Sequence, residues 1–218
     1  TYNQIEYGIY TNKDYGNVRG LELKLDYSFN NLFIQTNYTY QFTRGNADNP
    51  AQTFNRQGSS IDKVIRFIPM SWDQRHTFNI SLGYNTEKFG TTITGYYNSG
   101  TPYTFSPQGE SNLALLNLYP NNDVKPSNYH ADLSGYINLP KLFGISSKIN
   151  FLIYNLTDRY NEYGVSSETG RAYTAVVNET ELLSHRSNFN SYDDRYKNPS
   201  MFSSPREIKI GWTVSFWN

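Results

Sequence analysis

His130, Asp132 and Ser134 are the residues whose types could perform covalent chemistry: a base, an orienting carboxylate and a hydroxyl nucleophile at alternate positions. Alternate positions share one face of an extended strand, but neighbours on that face lie ~6.6 Å apart, too far for a ready-made proton relay. Polar lining of a wet surface is the simpler account, with an outer-membrane hydrolase as the sharper alternative. No metal or cofactor is implied. His76 and His185 stand at no metal-ligand spacing, and the chain has no cysteine for a disulfide or thiolate site. Asn37, Asn79, Asn155 and Asn178 each open an Asn-x-Ser/Thr triplet, as expected by chance in a chain so rich in these residues.

Binding chemistry is better represented than catalysis. The stretch 157–204 mixes Tyr160, Tyr163, Tyr173 and Tyr192 with carboxylates and with arginines that include Arg195. Rigid aromatic surface among charged groups suits an adaptable binding site, so these five are the candidate substrate-binding residues. Acidic clusters in the same stretch lack the spacing of an EF-hand calcium loop.

The composition restricts what can position such loops. The 218 residues include 20 Tyr and carry no formal net charge, with a mean hydropathy of −0.67. A neutral chain points to no nucleic-acid partner and no polybasic membrane patch. So many aromatics in so polar a chain fit strands that are apolar on one face and polar on the other, with aromatic girdles at two interfaces. No run approaches the ~20 apolar residues of a transmembrane helix, and Thr1 opens no signal-like segment.

The expected alternation is present along most of the chain. At the C-terminal end Ile208, Ile210, Trp212, Val214 and Phe216 fall on one face, and Glu207, Lys209, Gly211, Thr213 and Ser215 on the other. The same period predicts strands at about 2–10, 17–29, 32–42, 75–85, 89–99, 129–139, 145–156 and 206–217. Phe29, Tyr38, Phe78, Ile93, Leu133, Phe151, Ile210, Trp212, Val214 and Phe216 are the expected membrane-facing residues.

Asn30-Asn31 reads as a two-residue hairpin turn that pairs Phe29 with Leu32 and preserves the apolar face, with Phe33 as a misfit. Pairing Tyr84 with Phe89 leaves a four-residue turn, and a further turn falls at Pro140 to Gly144. Long connections at 43–74, 100–128 and 157–204 alternate with these short ones. Strands of about eleven residues, tilted by ~45°, span roughly 25 Å, the height of an outer-membrane apolar band. The expected fold is therefore all-β, an antiparallel transmembrane β-barrel. A long-stranded soluble sandwich explains the alternation but neither the loop asymmetry nor the two aromatic belts.

Four motifs carry a family resemblance: Asn17 to Glu22 within the run from Tyr10, Asp73-Gln74-Arg75-His76, Asn155-Leu156-Thr157-Asp158 with Tyr160, and Pro205-Arg206-Glu207-Ile208 running to Phe216. Their order resembles the late barrel strands of TonB-dependent outer-membrane transporters, in particular the Oar-like group with a carboxypeptidase-regulatory-like extension. The resemblance implies the C-terminal seven to eight strands of a ~22-stranded barrel in the bacterial outer membrane, with the plug domain and N-terminal strands outside this sequence. It implies no enzyme but uptake of a bulky nutrient (siderophore, glycan or peptide). The implied partners are outer-membrane lipid, the TonB complex acting through the plug, and a surface lipoprotein. A departure is the tail, where Trp217 and Asn218 follow Phe216 although the family usually ends on an outward aromatic. A self-contained eight-stranded structural or adhesive barrel is the alternative that the strand count leaves open.

Overall fold

The computed structural model describes residues 14–48, 67–106, 120–173 and 199–216. The strand expected at 2–10, and the candidates Tyr192 and Arg195, lie outside the described residues. The strands are β1 (Gly16–Phe29), β2 (Leu32–Gly45), β3 (Ile68–Pro69), β4 (His76–Asn85), β5 (Phe89–Asn98), β6 (Pro102–Tyr103), β7 (Asp123–Val124), β8 (Asn128–Leu142), β9 (Ile145–Tyr154) and β10 (Glu207–Phe216). Seven of them form one antiparallel meander, β1-β2-β4-β5-β8-β9-β10, while β3 adds to the end of β2 and β6 pairs with β7 apart. The fold is all-β, and the sheet of described residues is open, with β1 and β10 at its edges.

Alternation and short turns together set the register. Asn30 takes the left-handed conformation, φ 50°, so the chain reverses in two residues and Phe29 faces Leu32. From there apolar positions meet apolar positions across the sheet: Tyr38 opposite Phe78, Ile93 opposite Leu133, Leu133 opposite Ile153, and Phe151 opposite Ile210. Trp212, Val214 and Phe216 continue the same face opposite Ile149, Ser147 and Ile145. All ten expected membrane-facing residues therefore share one side of the sheet.

Two expected turns need correction. Tyr84 pairs with Thr91, not with Phe89. The Thr86 hydroxyl donates to the Phe89 carbonyl at 2.7 Å and accepts from the Phe89 amide at 3.0 Å, which tightens the reversal around residues 86–89. Because the pairing moves by two positions, no side chain changes face, and the Tyr84 and Phe89 rings still meet diagonally at 5.9 Å. The other correction is at Pro140 to Gly144: β8 continues to Leu142, and only Phe143 (φ 51°) and Gly144 (φ 77°) form the turn. Proline has no amide hydrogen for a ladder, and the register shifts there between Leu139 and Leu142. The connections 43–74 and 100–128 also contain structure of their own, namely β3 and the β6–β7 pair.

Phe33, the apparent misfit, has a partner. It lies opposite Gly83, and its ring occupies the space where a Gly83 side chain would stand. Tyr136 covers Gly90 and Phe151 covers Gly135 in the same way, each across its own ladder. At Gly135 an added methyl would also come within 2.6 Å of the Gly90 carbonyl, whereas Gly211 has nothing within 4 Å. Gly135→Ala should therefore cost about 1–3 kcal/mol of stability through overpacking. Gly211→Ala should stay within about 0.5 kcal/mol of the parent. Chemical-denaturation midpoints check both, and equal midpoints for the two variants would contradict the pairing described.

Candidate functional site

The long-loop ends of the strands are held by buried polar side chains. Asp73, 1% exposed, accepts from the Thr43 amide at 2.8 Å and pairs with Arg75 at 3.0 Å. The Arg75 guanidinium lies 4.2 Å over the Phe42 ring. Gln74 donates to the Ser99 carbonyl at 3.3 Å, and the His76 amide donates to the Ser99 hydroxyl at 2.9 Å. The Asp73-Gln74-Arg75-His76 motif thus ties β2, β4 and β5 together at one rim.

Asn155 does the same for β8, β9 and β10. It is 7% exposed and takes φ 50°, which turns the chain sharply out of β9. Its amide donates to Asp132 Oδ1 at 2.9 Å. Its Nδ2 donates to the Arg159 and Ser204 carbonyls at 2.9 and 3.1 Å, and its Oδ1 accepts from the Arg159 amide at 3.1 Å. Asp158 accepts from the Arg206 amide at 2.9 Å, so the start of β10 is fastened to the end of β9. Asn161, 2% exposed, donates to the Tyr129 carbonyl and accepts from its amide, both at 3.0 Å.

These bonds build the floor of a cavity of about 230 Å³ on the polar face, lined by His130, Asp132, Tyr154, Asn155, Asn161, Tyr163, Ser203, Ser204, Pro205 and Glu207. Of the candidate binding residues that are described, Tyr160, Tyr163 and Tyr173, only Tyr163 reaches it. Tyr160 is 56% exposed and outside its lining, and Tyr173 lies beside the Arg171 guanidinium, 5.5 Å from it. Glu207 entered the sequence reading as a polar-face residue and a motif member, not as a binding candidate, and Asn161 and Ser203 carried no sequence signal at all. They arrive from loop segments whose approach depends on the Asn155 turn.

His130 and Asp132 both line the cavity, but not as a relay. The imidazole stacks on Tyr96 with ring centroids 4.7 Å apart, while Asp132 is engaged by the Asn155 amide. Ser134 is not part of the lining. Among the described residues no cluster of side chains could hold a metal ion.

The long connections knit together above this rim. Asn121 Nδ2 donates to Asp48 at 3.0 Å and to the Pro69 carbonyl at 2.9 Å, and the Ser106 amide donates to the Ser167 carbonyl at 2.7 Å. Comparison with known protein families, curated proteins and solved structures finds no match to the chain.

One clamp in this loop layer has a pH signature. Arg171 forks onto Glu162, with Nε 3.0 Å from both carboxylate oxygens, and the Ala172 amide donates to the same group at 2.7 Å. The Arg171 hydrogen bonds hold the Glu162 carboxyl below its usual range, against an opposing effect of burial. A depressed carboxyl pKa contributes stability that is fully present above the ordinary carboxylate range and is lost as pH falls through the lowered value. Protection of the Ala172 amide against hydrogen exchange should disappear over that acidic window. At neutral pH, Glu162→Ala should speed tryptic cleavage after Arg171 several-fold; an unchanged rate would show that the fork does not hold the loop.

Proposed function

We propose that the chain is part of the wall of a TonB-dependent outer-membrane transporter, supplying strands, inner lining and outer loops to a plugged barrel that takes up a bulky nutrient. The observation that carries this reading is the apolar face of the sheet. Phe29, Ile210, Trp212 and Phe216 are 61, 77, 72 and 64% exposed, while the buried hydrophobic residues among those described are Ile68, Met70 and Ala172, none of them on that face. An apolar surface this extensive needs a cover. Lipid is one that leaves the opposite face wet, as the alternation requires.

Strand length and connectivity support the same reading. The meander strands run from 10 to 15 residues, long enough at a barrel tilt to cross the ~25 Å apolar band. The turns at Asn30, residues 86–89 and Phe143 all lie at one end of the meander, and the knitted connections lie at the other. No helix among the described residues is long and apolar enough to cross a membrane, which says nothing of strands. Unpaired backbone groups at β1 and β10 would cost several kcal/mol each in hydrocarbon, so this reading calls for further strands beside both edges. The cavity then opens on the inner face beneath the outer loops, where a ligand would be held before the plug moves.

Trp212→Arg should weaken folding into lipid bilayers by ~2–4 kcal/mol, whereas Thr213→Arg, on the wet face, should be tolerated. Equal penalties would refute the lipid-facing assignment. Uptake by cells carrying the whole protein should stop when TonB is deleted; uptake that persists would remove the energised-transport reading.

A further inference from the structure

The cavity lining carries the carboxylates of Asp132 and Glu207 and the rings of Tyr154, Tyr163 and His130, with no lysine or arginine among the described residues that line it. Carboxylate beside aromatic face is the arrangement that holds organic cations, through ion pairing and attraction to the ring quadrupole. The structure already sets an ammonium against two of these groups, although the residue that carries it is not part of the lining. Lys209, two residues along the same face of β10, turns its ammonium back to lie 3.1 Å from Glu207 Oε1 and 5.1 Å over the Tyr154 ring. Glu207 and Tyr154 face each other directly across the β9–β10 ladder, so the ring and the carboxylate are presented as a unit.

We propose that this cavity binds a compact organic cation, an ammonium or guanidinium group borne on a peptide-sized ligand, and that Lys209, which reaches Glu207 and Tyr154 from outside the lining, is the internal competitor that the ligand displaces from them. Asp132 supplies the second negative charge from the cavity floor. It keeps one oxygen on the Asn155 amide. Both members of the Lys209–Glu207 pair are more than half exposed, at 55 and 58%, so the exchange requires no opening of the fold and little net cost from breaking the ion pair. The inference deepens the transport reading by naming a substrate class and rests on it for physiological meaning; the binding chemistry rests on the cavity alone.

Isothermal titration calorimetry on the whole protein in detergent micelles tests it, with N-acetyl-arginine amide as the probe and N-acetyl-citrulline amide as its uncharged near-isostere. The arginine compound should bind at least about tenfold more tightly than the citrulline compound. Glu207→Gln should weaken its binding by about tenfold, and Lys209→Gln should tighten it by about threefold or more, because the competitor is gone. Circular dichroism of both variants reports whether strand content is kept, and the gain in Lys209→Gln cannot arise from misfolding. Equal binding of the two compounds would overturn the proposal in favour of a neutral hydrogen-bonding ligand. Absence of binding, or weaker binding in Lys209→Gln, would overturn it outright. Those failures leave bilayer folding of the Trp212 and Thr213 variants untouched, and a failure to enter bilayers leaves the micelle titration readable.

Discussion

From Phe29 opposite Leu32 to Phe216 opposite Ile145, every ladder of the meander keeps like-faced residues together. A slip of one position anywhere would carry an entire strand's apolar set to the polar side, so the register is held by all of its neighbours at once. Nearly everything else follows from that constraint. Apolar side chains spread along one face of a single sheet leave few hydrophobic residues buried among those described. That arrangement also explains how a polar chain can present a continuous greasy surface: the average over both faces hides what each face does.

Ladder bonds are generic, and they do not say where a strand should stop. At the short-turn end one or two left-handed residues suffice for a tight reversal, Asn30 in one turn and Phe143 with Gly144 in another. The opposite end is specified by side chains: Asp73 on the Thr43 amide and Arg75, and Asn155 on four polar groups drawn from β8, the following loop and the residues before β10. A buried carboxylate or carboxamide stripped of such partners costs about 1–3 kcal/mol. The polar investment therefore sits where the strands meet the loops, and it fixes the geometry of the loop bases.

Period-two alternation made the seven meander strands and their faces legible in the sequence, and turn residues located Asn30-Asn31 correctly. What alternation does not encode is pairing offset by two, since the faces are the same either way; the Thr86 hydroxyl decides that case, not hydrophobicity. Phe33 looked wrong by pattern alone because the reason for it, the empty space at Gly83, lies 50 positions away in the chain and becomes adjacent only across a ladder. The candidate site was less legible. Tyrosine content in the stretch 157–204 led to Tyr163 but also to Tyr160 and Tyr173, which face elsewhere, because loop residues lack the periodicity that tells inside from outside. Asp73 and Asn155 were visible as parts of motifs, while their work as anchors emerged only from their hydrogen bonds.

Lys209 gives two of the groups that face the cavity, Glu207 and Tyr154, a resting partner. A tethered group competes at an effective concentration set by its short reach, commonly in the millimolar range, and never diffuses away. Such a competitor acts as a threshold. Free ions and simple amines at lower concentration meet an occupied carboxylate, so the cavity discriminates by the number of contacts a ligand brings, not by charge alone. Selectivity of this kind comes from one lysine two residues along a strand, and it would be lost without any change in the cavity's shape.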